Sequence, residues 1–264
     1  MNRLLILFLF LISSSLSATV YTVYNGGNGI ANFDDLQTAI NQAAAGDTIY
    51  VLGTFKPYDD SNTGRISLNK RLVLLGEGPF KTADGTINQD EFTFIDLLFL
   101  ESGCDGSVIS GFHLDAVRFG YSDGVGVTFT NLTFSNNRID DLTIPNSNHL
   151  VTSLNLINNH IYPGDGGFKW EQTTGNNLQN NFIHFRRNFR PTGTNLLKNN
   201  LIVMWGRSTR VAYGTSGNGE TLYEREWETE NSTWENNVIF MSGYGGGTGV
   251  IDRLVLKASN VTLK

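Results

Sequence analysis

Five short segments of this chain share one form, apolar–x–Asn–Asn–x–Ile: FSNNRI (134–139), LINNHI (156–161), LQNNFI (178–183), LKNNLI (197–202) and WENNVI (234–239). Their first asparagines stand at 136, 158, 180, 199 and 236, so the spacings are 22, 22, 19 and 37. The last interval fits two coils of about 18 residues, or one coil carrying an inserted loop. A related copy, ISGFHL (109–114), precedes the first pair by 25 residues and carries Gly111 and Phe112 in the two Asn positions. Recurrence at this period marks a repeat architecture, in which each unit buries its apolar face only against its neighbours.

The chemistry of the repeat points to short stacked strands. The apolar residue before the pair and the Ile after it alternate with polar ones, as half-buried strands do. Between strands the backbone must turn sharply, and Asn is among the few residues with a Cβ that tolerate a left-handed conformation. Stacking also sets one asparagine above another, so that side-chain amides can hydrogen-bond along the stack. The Asn pairs are therefore read as structural. FTNLTFSNNRI (129–139) and VTSLNLINNHI (151–161) also fit a leucine-rich repeat, but later copies place Thr173, Asn176 and Ser232 where that template needs leucine. A parallel β-helix, whose coils vary in length, fits better.

The segment ANFDDLQTAINQAAAGDTIYVLGTF (31–55) predicts a short amphipathic helix followed by a strand. Asp34 or Asp35 would start the helix, with Phe33, Leu36, Ile40 and Ala43 or Ala44 on one face. Gly46-Asp47 would end it, and TIYVL (48–52) would enter the first strand. RLVLLGEG (71–78) reads as the next strand and turn. This opening resembles that of right-handed parallel β-helix proteins of the pectate-lyase-like superfamily, where such a helix caps the open end of the solenoid. The expected fold is all-β: a right-handed parallel β-helix over residues 19–264 with a short N-terminal capping helix. NVTLK (260–264) aligns with NLTFS (131–135), so the chain stops where a further Asn pair is due. That suggests a fragment, or a domain of a longer solenoid.

Residues 1–18 read as a signal peptide. Arg3 supplies the positive end, Leu4 to Ile12 the apolar core, and Ser13 to Ala18 the small residues around cleavage. The core is too short to span a bilayer, and Asp96 and Glu101 punctuate the next apolar run, so no membrane insertion is expected. Secretion or surface display follows. The net charge of −6 and pI near 5.2 argue against nucleic acid as a partner, since neutralising phosphates needs clustered cations. A single cysteine, Cys104, excludes an internal disulfide and reads as a buried small residue. Asn131, Asn231 and Asn260 begin N-x-Ser/Thr sequons.

The candidate site comes from the outward positions beside each Asn pair. One residue beyond the second Asn stand His113, Arg138, His160, Phe182, Leu201 and Val238; three beyond stand Asp115, Asp140, Tyr162, His184, Val203 and Phe240. Adjacent coils would gather two carboxylates, an arginine, three histidines and a tyrosine on one face. The family resemblance implies an acidic polysaccharide as partner, calcium held by carboxylates, and β-elimination with an Arg or Lys as base. Carried onto this face, Asp115 and Asp140, with Asp141, are the calcium candidates. Arg138, Arg186 or Arg187 is the basic partner, and His160, Tyr162 or His184 donates a proton. No catalytic signature of the family is matched residue by residue. Hydrolysis is the weaker alternative, because Asp140-Asp141 is an adjacent pair expected on opposite faces of a strand.

A second candidate is HFRRNFRP (184–191) with WGRSTR (205–210). Here Arg186, Arg187, Arg190, Trp205 and Arg207 would bind anionic sugars by forked hydrogen bonds and stacking. The rival account pairs these arginines with the acidic run EREWETE (224–230). The functional expectation is a secreted β-helix engaging an extracellular, anionic polysaccharide, with lyase activity the first chemistry to test. The other class is a non-catalytic adhesin, carbohydrate-binding or structural solenoid.

Overall fold

The computed structural model describes residues 18–27, 29–54, 56–59, 64–78, 92–120, 126–143, 149–162, 173–185, 194–205, 210–215, 221–242, 249–259 and 262–263. The signal-peptide reading of residues 1–18 therefore lies almost wholly outside them.

Alternating apolar residues form stacked short strands, and the chain is a parallel β-helix. One sheet has ten strands in the order of the chain's coils, all parallel. Its inward column runs Ile49, Leu74, Ile109, Phe134, Leu156, Leu178, Leu197 and Trp234, each 5% exposed or less. A second parallel sheet follows each Asn pair, with Leu114, Ile139, Ile161, Ile183 and Ile202 fully buried. Short strands Thr128–Thr130, Leu150–Thr152 and Thr173–Thr174 make a third side. Each buried Leu, Ile or Phe contributes about 1.5–3 kcal/mol, and stacking lets every coil use its neighbours to complete that burial.

The corner between the first two sheets is two residues long. Its first residue is left-handed in every copy: Asn136, Asn158, Asn180, Asn199 and Asn236 have φ between 52° and 56°. In the related copy Gly111 takes the same role at φ 81°, and a Cβ there would collide with the Gly76 carbonyl oxygen. The second residue turns inward. Asn137, Asn159, Asn181 and Asn200 are 1–2% exposed, and each accepts the backbone N–H of the coil before it. A second left-handed corner, at Gly106, Asn131, Ser153, Gly175 and Asn231, precedes the first sheet. Behind it the buried position changes from Leu132 and Leu154 to Asn176, Asn195 and Ser232, and Asn176 donates to Asn195 at 2.8 Å. Two of the residues that spoil a leucine-rich template, Asn176 and Ser232, thus stand with Asn195 in a second polar ladder, while Thr173 is buried in a strand of the third side.

Helix α1 (Leu36–Gln42) begins where expected, with the Asp35 carboxylate accepting the Thr38 N–H at 2.6 Å. It buries Leu36, Ala39 and Ile40; Ala43, not Ala44, completes the face. The first strand lies earlier than TIYVL: Val20–Val23 pairs with Thr48–Val51, and α1 is the crossover that two parallel strands require. The 37-residue interval is one coil with an insertion, since Leu196 and Leu197 pair directly with Thr233 and Trp234. Strand Arg210–Thr215 runs antiparallel to Thr221–Glu230, which runs parallel to Gly249–Ser259. The acidic segment is accordingly strand, where the sequence suggested a loop. Thr262 pairs with Thr233, as the alignment of NVTLK with NLTFS requires. Cys104 is buried and in no disulfide, and no helix among the described residues is long and apolar enough to cross a membrane.

Candidate functional site

Strand pairing sets the outward columns of the second sheet in the register that the repeat predicts. His113, Arg138, His160, Phe182, Leu201 and Val238 are successive partners. In the second column the Asp140 N–H reaches Leu114 O and the Tyr162 N–H reaches Ile139 O, while His184, Val203 and Phe240 pair directly. The columns also extend one coil further than the sequence revealed. Phe94 pairs with His113, and Asp96 sits opposite Asp115 between the pairs Ile95/Leu114 and Leu97/Ala116. No Asn pair marks that coil, so FTFIDLLFL (92–100) offered only its hydropathy.

The charged end is organised around Asp140. One carboxylate oxygen lies 2.7 Å from His113 Nε2 and the other accepts Arg138 Nε at 2.9 Å. Burial alone would raise this carboxyl, but the His113 and Arg138 hydrogen bonds outweigh it and hold the group below its ordinary value. The His113 ring packs against Phe94 and Phe92 at 4.7 and 5.5 Å. Asp96 shifts the opposite way: burial, then the negative charges of Asp59 and Asp115, push its carboxyl up against the pull of His113. Asp115 itself is exposed. Asp141, next to Asp140, binds Arg118 at 2.6 Å and Thr143 at 3.2 Å. The two carboxylates have similar exposure, 23% and 22%, instead of facing opposite sides. The reason is that strand Arg138–Ile139 ends before them, so strict alternation no longer applies.

The middle of the face is aromatic. His160 lies 4.4 Å from Tyr162 and 4.6 Å from Phe182 between ring centroids, and Tyr162 lies 5.3 Å from His184. Arg138 reaches over Tyr162 at 5.9 Å, the outer range of a cation–π contact. His160 Nε2 is buried without a hydrogen-bond partner. Burial first, and the Arg138 charge next, lower the His160 pKa against the opposing pull of Asp140, so its neutral form is favoured. Beside these rings an open shallow cleft runs along the corner, lined by Asn136, Asn158, Asn180, His160, Tyr162 and Phe182. Further on the face becomes apolar, with Leu201, Val238 and Phe240 exposed by 39%, 61% and 59%.

Arg138, His160, Tyr162, His184, Asp115 and Asp140 are thus brought to one face. Of the second candidate set, Trp205 ends the strand Leu201–Trp205, while Arg186, Arg187, Arg190 and Arg207 lie outside the described residues. Among the described residues no group of three or more His, Cys, Asp or Glu is placed to hold a metal. Calcium takes about six to eight oxygens, so at Asp115 and Asp140 it would need further donors from a substrate or from residues outside those described. In comparisons with protein-family models, curated proteins and solved structures, the chain matches none.

Proposed function

We propose that this chain engages an extracellular polysaccharide along the outer face of its second sheet. The observation carrying this reading is the row of rings, His160, Tyr162, Phe182 and His184, stacked along the solenoid axis beside exposed asparagine amides. Aromatic faces pack against the C–H face of a sugar, amides pair with its hydroxyls, and a ligand that repeats suits a surface that repeats. The signal-peptide pattern of residues 1–18 supports an extracellular target.

Cleavage by β-elimination is the second reading, favoured by the charged group at Asp140 on the same face. In that chemistry a base removes the proton beside a uronate carboxyl, the neighbouring C–O bond breaks, and the leaving oxygen is protonated. Arg138 could act as base only once it is released from Asp140 and has itself lost a proton. His160, whose neutral form is favoured, is suited to take up a proton, which leaves Tyr162 beside it as the proton donor on the aromatic row. Non-catalytic adhesion or binding needs neither step.

The test is a polysaccharide panel, pectic, alginate and neutral, with and without calcium. Gel retardation reports binding and ultraviolet absorbance reports unsaturated uronate ends. Retardation that a folded Tyr162→Ala/Phe182→Ala variant loses is the expected result. Retardation unchanged in that variant would overturn the site, and calcium-dependent absorbance would establish the lyase.

A further inference from the structure

The outer asparagine row breaks at two steps, between Asn158 and Asn180 and between Asn199 and Asn236, and the first of these falls inside the cleft. Asn136 Nδ2 donates to Ser110 Oγ at 3.5 Å, Asn158 Nδ2 to Asn136 Oδ1 at 3.4 Å, and Asn199 Nδ2 to Asn180 Oδ1 at 3.2 Å. Between Asn158 and Asn180 there is no such bond, so the Asn158 Oδ1 acceptor and the Asn180 Nδ2 donors are left over on exposed side chains. The coils have not parted there. The Asn158 N–H reaches Gln179 O at 3.0 Å, and directly behind, Asn159 Nδ2 still donates to Asn181 Oδ1 at 3.2 Å. Only the outer amides miss each other, at the step flanked by His160, Tyr162 and Phe182.

We propose that this step is a subsite for an uncharged sugar ring, whose hydroxyls bridge Asn158 and Asn180 while its C–H face rests on the adjoining aromatic rings. The inference rests on the polysaccharide reading above and sharpens its substrate class. A hydroxyl both donates and accepts, which matches one free acceptor and one free donor one coil apart. A carboxylate only accepts and needs a cation when desolvated. The cleft offers none: its lining carries no Lys or Arg, and the nearby Arg138 is engaged by Asp140. A neutral glycan thus replaces, at this step, the anionic one that the arginine-rich segments suggested.

The experiment is titration calorimetry of the mature protein near pH 7.5 with neutral cello-, manno- and xylo-oligosaccharides and with oligogalacturonate. Asn180→Asp exchanges the free donor for a charged acceptor in a residue type that tolerates the same backbone. It is expected to weaken neutral-oligosaccharide binding about tenfold or more. Asn236→Asp, at the equivalent corner beyond the cleft, is expected to leave binding unchanged. Should Asn180→Asp not fold, the amide signals of the wild-type Asn180 side chain in a nitrogen–proton spectrum serve instead, moving on titration while those of Asn236 stay. Binding confined to oligogalacturonate would overturn this inference and leave the polysaccharide reading standing. Neutral binding indifferent to Asn180 would overturn it too. Absence of binding to every glycan, polymers included, would remove both.

Discussion

The two asparagines of each pair are neighbours of identical chemistry that meet opposite surroundings. The second one is 1–2% exposed at Asn137, Asn159, Asn181 and Asn200, and its row is unbroken from Phe112 to Asn237. Each amide accepts from the coil before it, and Asn159, Asn181 and Asn200 also donate to the carbonyls of Phe134, Leu156 and Leu178. The first one is exposed, holds φ near 55°, and makes longer side-chain bonds that are missing between Asn158 and Asn180 and again between Asn199 and Asn236. Burial makes an unpaired amide costly, whereas water satisfies an exposed one. The inner row is therefore committed to the fold, and the outer row is free to meet a ligand.

The sharpest way to break this contrast is Asn159→Ala. It removes four side-chain bonds, to the Asn137 N–H and amide, Phe134 O and Asn181 Oδ1, and leaves buried groups unpaired. Denaturant unfolding should show a loss of about 3 kcal/mol. A loss below about 1 kcal/mol would mean the inner row is no more committed than the outer one.

Next in size is the backbone of the outer residue. Asn158→Val places a β-branched side chain at φ 56° and should cost about 1–2 kcal/mol, while Asn158→Gly should stay within about 0.5 kcal/mol. Equal losses in the two variants would show that the amide, not the left-handed corner, is what the position requires.

Titration gives a smaller, signed effect. His160 has its pKa lowered in the fold, so the unfolded chain binds the proton first. Stability should be level above pH 6.5, the ordinary value, and fall as pH drops below it towards the folded value. Asp140 is likewise held below its ordinary 3.8, so its contribution is complete above that pH and lost as pH falls through the folded value. Melting temperature against pH should show both declines, with the first absent in His160→Phe and the second reduced in Asp140→Asn. The smallest effect belongs to the exposed apolar end, where Phe240→Ser should alter stability by no more than about 0.5 kcal/mol.

Much of the fold was legible because a solenoid is close to one-dimensional, so a spacing in sequence becomes a coil in space. The 22, 22 and 19-residue intervals are the separations of the stacked Asn pairs, and Gly111 and Phe112 take the corner roles that their alignment assigned. What escaped lay where the period is silent. Val20–Val23 has no Asn pair to announce it. The partner of Thr221–Glu230 lies in the next interval, at Gly249–Ser259. Asp96 belongs to a coil without the motif, and Asp141 lies past a strand end that alternation could not foresee.

Sequence alone determined the stacking direction, the 22- and 19-residue coils and most of the residues that share the outer face, because these follow from a repeat of apolar positions and left-handed corners. Tertiary structure decided which of those polar groups remain available. That Asp140 is held by Arg138 and His113, that His160 Nε2 has no partner, and that the outer amides fail to meet between Asn158 and Asn180 are matters of side-chain reach. A hydrogen bond is made or lost over a few tenths of an ångström. Periodicity sets positions only to the nearest residue, so the availability of each amide is settled by how the coils pack against one another.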